Sequence, residues 1–121
     1  MIEALPNFPD YVVAVACKGH VTRHDYETVL VPKVEKALKR HEKVRLYYQV
    51  DPDFKGIDPG AVWEDFKVGV GHLTRWARIA IVTDVDWIRN TMAVFSFLIP
   101  GEIRIFPTSE MSKARDWIVA E

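Results

Sequence analysis

The chain is 121 residues long and 49% hydrophobic, enough for one core and too little for two, since single domains run about 100 to 150 residues. Sixteen basic against seventeen acidic residues leave a net charge of −1, which excludes a global field for nucleic acid or an anionic membrane. The single cysteine, Cys17, excludes an internal disulfide, and no run approaches the roughly 18 apolar residues of a membrane span.

Cys17 ends the apolar run Tyr11 to Cys17, where a free thiol packs as a small hydrophobe, so a reducing compartment is expected. Met1 to Asp10 lacks the basic start and apolar stretch of a secretory signal, which makes the cytoplasm the expected location.

In chain order, Ile2 to Leu5 reads as a short strand, Pro6 to Asp10 as a loop, and Tyr11 to Cys17 as a buried strand. A connection this short permits antiparallel pairing only. Thr22 then caps a helix with Asp25 in its first turn, and Tyr26, Val29, Leu30, Val34, Ala37 and Leu38 recur at helical spacing. Pro32 should kink that helix near its midpoint. Val44 to Val50 alternates as a third strand, ended by Asp51-Pro52-Asp53.

Asp58-Pro59 opens a second helix whose inward face would be Val62, Phe66, Val70 and Leu73. Ile79 to Val82 is a short apolar strand, and Thr83-Asp84 should cap the helix over 85–99. Pro100-Gly101 stops that helix. Ile103 to Phe106 forms the next strand, and Ser109 to Ala120 the last helix, with Met111, Ala114, Trp117 and Ile118 inward. The order ββαβαβαβα predicts a single α/β domain over 1–121, a mostly parallel sheet with an antiparallel N-terminal edge strand and helices packed on it.

Three pieces of this order, Asp25-Tyr26-Glu27, Val82-Thr83-Asp84-Val85-Asp86-Trp87-Ile88 and Phe97-Leu98-Ile99-Pro100-Gly101-Glu102, recur together elsewhere. On them the chain resembles the SpoIIAA-like family of small bacterial STAS and SEC14-type domains over essentially its whole length. The resemblance implies a fold similar to anti-sigma-factor antagonists and to SEC14-type lipid carriers, in a family without an assigned activity. Fold alone does not carry function. The antagonists place a phosphorylatable Asp-Ser-Ser-Gly where this chain has Gly56-Ile57-Asp58-Pro59-Gly60, so a serine switch at that site is not expected.

Asp51, Asp53, Asp58, Asp84 and Asp86 all follow strand ends, the edge where open α/β sheets bind ligands. Such a rim could hold a magnesium ion, but Asp58 and Asp84 are also expected as helix caps, and the capping role is the stronger reading. His20, His24, His41 and His72 lack metal spacing; Ser96, Ser109 and Ser112 lack a nucleophile setting; no glycine-rich phosphate loop occurs. No catalytic residue, metal or cofactor is expected.

The helix over 85–99 carries more apolar surface than one core stripe needs. Ile88, Met92, Phe95 and Ile99 form the stripe, and Trp87, Val94, Phe97 and Leu98 continue around it. The extra arc is either buried by neighbours or open to a partner, a second copy or a lipid. Trp63 and Phe66 with Trp87 would then line a pocket near the acidic rim. Lys33, Lys36, Arg40 and Lys43 mark a basic stripe on the first helix, interrupted by Glu35 and Glu42 and read as a solvated face.

The leading expectation is a non-enzymatic regulatory or protein-interaction module. Its candidate binding residues are Trp63, Phe66, Asp84, Asp86, Trp87, Val94 and Phe97, and its partner is another protein or a second copy meeting the helix over 85–99. A small apolar-ligand carrier is the alternative, and a magnesium-dependent enzyme using Asp84 and Asp86 the remote one. Neither nucleic acid nor a membrane span is expected.

Overall fold

All six residues from Val12 to Cys17 are buried, which a strand achieves only when both faces of its sheet are covered. The computed structural model describes residues 1–60, 73–96 and 101–120. Five strands form the main sheet: β1 (Ile2–Ala4), β2 (Val12–Cys17), β4 (Val44–Val50), β6 (Trp76–Val82) and β7 (Glu102–Phe106). Between them, β3 (His20–Val21) and β5 (Gly56–Ile57) make a separate parallel pair. The main sheet runs β1-β2-β4-β6-β7, with β1 antiparallel to β2 and every other neighbour parallel.

The predicted order and the antiparallel opening are therefore found, with β3 and β5 added. Strands of two residues show no alternation and leave no sequence signal. A second departure is β6, which begins at Trp76 rather than Ile79. Ala77 bulges out of register against β4, and the following Arg78 breaks the apolar run that marked the strand.

The first helical segment, α1, covers residues 23–40 in three parts: an α turn Arg23–Asp25, a π segment Tyr26–Leu30 and the α-helix Val31–Arg40. Thr22 and Asp25 form the expected capping box, with Asp25 N–H donating to Thr22 Oγ1 (3.2 Å) and Thr22 N–H donating to Asp25 Oδ2 (2.8 Å). Pro32 falls where the helix changes register, directly after a π segment. The π segment ends where Val31 N–H donates to the Tyr26 carbonyl, which puts Pro32 in the first turn of the following α-helix, where its missing N–H is tolerated. Pro59 and Gly60 are helical, as Asp58-Pro59 predicted; the remainder of that helix, with Val62, Phe66 and Val70, lies outside the described residues. Two further helices follow: α2 (Asp86–Phe95) and α3 (Met111–Val119), the latter led by a 3-10 turn at Thr108–Glu110.

Helices α1 and α2 cover one face of the sheet. Tyr26, Leu30, Val34 and Ala37 of α1 and Ile88 of α2 pack there on Val13, Val15, Val44, Val50, Ile79 and Ile81. On the other face Ala114 and Ile118 of α3 meet Val12, Ala14, Tyr47, Ala80 and Val82, with Phe8, Tyr11, Met111 and Trp117 closing the margin. That second face also anchors the end of α3. Arg45 Nη1 donates to the carbonyls of Ile118 (2.8 Å) and Ala120 (2.6 Å), and Arg78 Nη1 to those of Trp117 and Ala120 (both 2.8 Å). Cations at a helix C-terminus satisfy its last carbonyls and oppose its dipole.

Candidate functional site

Asp51 and Asp53 follow the C-terminal end of β4, Asp58 that of β5, and Asp84 and Asp86 that of β6, and hydrogen bonds to the fold occupy most of these predicted acids. The buried Tyr47 hydroxyl donates to Gln49 Oε1 (2.9 Å), and Gln49 Nε2 donates to Asp51 Oδ1 (2.7 Å). Lys18 Nζ approaches Asp51 Oδ2 (3.7 Å) while it donates to Glu3 Oε2 (2.9 Å). Burial holds the Tyr47 phenol above its ordinary range, and the hydrogen bond and charge of Glu3 hold the Lys18 ammonium above its own.

Asp58 Oδ1 lies 2.5 Å from His20 Nε2 and ties β3 to the start of the helix after β5. Asp53 and Asp86 are exposed, Asp86 in the first turn of α2, where a negative charge suits the helix N-terminus. Among the described residues no three His, Cys, Asp or Glu side chains converge as a metal site.

Asp84 corrects the sequence reading. The N-cap of α2 is Val85, whose backbone is extended and whose N–H donates to Thr83 Oγ1 at 3.0 Å. The Asp84 carboxylate turns instead to the start of the last helical segment, accepting from Thr108 N–H (3.0 Å) and from the Thr108 hydroxyl. Those two bonds, with Arg89 adding its charge, hold the carboxyl below its usual range. The spacing Thr83-Asp84 fits a cap, and only the three-dimensional approach of Thr108 gives Asp84 a stronger pair of donors.

On α2 the apolar arc divides. Ile88 is 8% exposed and, with half-buried Met92 one turn on, packs against the sheet. Trp87 and Val94, two turns apart and so on one line of the helix, are 50% and 67% exposed. Thr91 stands between them, its hydroxyl donating to the Trp87 carbonyl (2.7 Å), and Ser96 likewise bonds Ala93 (2.6 Å). The hydroxyls are thus spent on the helix itself, leaving an apolar line on its outward side. For Trp87 and Val94 the extra arc is surface rather than core. Trp63, Phe66 and Phe97, the other predicted apolar contributors, lie outside the described residues, as does the pocket they would form with Trp87.

A groove of about 230 Å³ lies at the opposite edge, between the loop 5–10 and α1, floored by Val13 and Ala37 and walled by Lys33, Lys36 and Arg40. The sequence marked the basic stripe but gave no sign of the loop folding against it. The loop turns at Asn7, which takes a left-handed φ of 69°.

The SpoIIAA-like family profile matches residues 12–119. Among solved structures, the chain is similar to an uncharacterised protein of the DUF3478 family from Shewanella loihica PV-4, described as having a SpoIIAA-like fold. The two share 26% identity over 98% of this chain and 92% of that one, with a TM-score of 0.68. No curated protein matches significantly. The profile takes in β2 through α3, the whole parallel part of the sheet and the helices on both its faces, and the chain belongs to the SpoIIAA-like family.

Proposed function

We propose that the protein is a non-enzymatic interaction module that docks a protein partner on the outward line of α2. The observation that carries this reading is the exposure of Trp87 and Val94 on one helix whose inward side, Ile88 and Met92, already satisfies the core. A large aromatic side chain left half in water has apolar area to bury against a partner, and aromatic anchors dominate binding energy where they are buried at interfaces. The acids at the sheet edge support it from the other side, since Asp51, Asp58 and Asp84 are committed to Gln49, His20 and Thr108. The resemblance to anti-sigma-factor antagonists points the same way, without their serine switch. Cys17, buried and in no disulfide, suits a reducing, cytoplasmic setting, and among the described residues no helix is long and apolar enough to cross a membrane.

The test is quantitative capture from an extract of the source cells, with the wild-type chain and the double variant Trp87→Glu, Val94→Glu immobilised in parallel. Lys36→Glu, which changes charge elsewhere on the surface, is the control. A protein retained by wild type and control but lost with the double variant supports the reading. Equal capture by all three contradicts it. Stoichiometric lipid extracted from wild type and lost in the double variant would replace it with the carrier reading.

A further inference from the structure

The strand at the outer margin of the sheet carries charges of both signs in an order that complements itself. β7 pairs with β6 on one side and, among the described residues, with nothing on the other. The Phe106 carbonyl accepts from Thr83 N–H (2.9 Å), so Phe106 directs its backbone groups to β6. By the alternation of a parallel ladder Arg104 and Glu102 do the same, and the N–H and C=O groups of Ile103 and Ile105 point outward. Ile103 and Ile105 rest their side chains on the core beneath α2. Glu102 and Arg104 are exposed on the opposite face, Arg104 with its guanidinium 5.0 Å from the centre of the Trp117 ring.

We propose that β7 is a self-pairing edge at which two copies of this chain join antiparallel about a two-fold axis, making one continuous ten-stranded sheet. Outward hydrogen-bonding groups sit at odd-numbered residues, and this limits the possible registers. With the axis at Ile103, the two Ile103 residues exchange N–H···O=C bonds and Glu102 of each copy lies directly opposite Arg104 of the other. Shifting so that Ile103 faces Ile105 sets Arg104 against Arg104, which like-charge repulsion disfavours. The charges therefore choose one register of the hydrogen-bonded set.

Charged residues on an edge commonly block pairing, but Glu-Ile-Arg attracts its own copy about this axis, as an isologous contact requires. A two-fold normal to the sheet also keeps α2 of both copies on one face and leaves the Trp87 line outward, so the proposal stands independently of the partner proposed for α2. A seam of one five-residue strand is small, and the expected dimer is weak and concentration-dependent.

Sedimentation equilibrium of the full chain, from about 5 to about 300 µM, tests this range of weak association. Wild type should dimerise; Glu102→Arg and Arg104→Glu should each weaken the dimer about tenfold or more; the double exchange should restore it to within about threefold, because attraction across the seam returns. A wild-type monomer throughout overturns the proposal, as does a dimer indifferent to the single reversals. Should a single reversal fail to fold, amide exchange of wild type decides. Protection of the Ile103 and Ile105 amides that rises with protein concentration supports the seam, and concentration-independent exchange there overturns it.

Discussion

At Gly101 a Cβ atom would collide with the Trp76 carbonyl oxygen and come within 3.0 Å of that of Ala77, so β7 enters the sheet on a residue without a side chain. Gly101→Ala should lower stability by about 2 kcal/mol or more, read from the urea midpoint, because backbone must move to admit the methyl group. A change within about 0.5 kcal/mol would show that the strand entry relaxes freely. Asp84 gives a pH prediction. Its folded-state pKa lies below the usual 3.8, so its contribution is complete above that value and is lost as pH falls through the lower folded one. Asp84→Asn should therefore be less stable than wild type near pH 6, and the gap should close as pH falls below 3.8, as urea midpoints would record. A gap that widens on acidification contradicts the assignment. The sequence reading placed Asp84 at the right edge of the sheet and gave it the wrong hydrogen bonds. Local spacing reports which residues are neighbours along the chain, and Thr108 is twenty-four residues away.

Among the elements, α1 was the most legible. Its cap, its apolar stripe and its proline are all local signals, although the answer to Pro32, a π segment before it, depends on how the carbonyls upstream are satisfied. In α2 the periodicity revealed the excess of apolar residues but not its direction, because a wheel gives angles between side chains and no reference to the sheet. Ile88 set that reference. The division predicts opposite responses to mutation within one helix. Trp87→Glu with Val94→Glu should leave the melting temperature within about 2 °C of wild type, as exposed substitutions do, whereas Ile88→Ala should cost about 2 to 5 kcal/mol by leaving a cavity under α2. Thermal unfolding followed by circular dichroism reads both. Loss of several kcal/mol in the Glu pair would place that side of the helix in the core and remove the docking line.

For the molecule as a whole, the parallel sheet covered on both faces follows from fully apolar strands such as β2 alternating with amphipathic helices, and that pattern was legible for the main sheet and for the described parts of its helices. Less legible was the way the two faces are finished. One face is closed by apolar packing and by the hydrogen-bonded hydroxyls of Tyr26 and Tyr48. The other turns Arg45 and Arg78 to the carbonyls that end α3, a contact between strand starts and a helix end about forty to seventy-five residues apart that no local pattern encodes. The proposed function rests on a division of labour. The sheet edge holds acids that the fold itself uses, and α2 holds an aromatic and a valine that the fold does not use. The direct test of that division is native mass spectrometry of the protein isolated gently from its source cells, repeated under denaturing conditions and with the Trp87→Glu, Val94→Glu variant. A second protein mass should be bound to wild type and missing from the variant. A small-molecule mass that leaves on denaturation, with no bound protein in either sample, would contradict it.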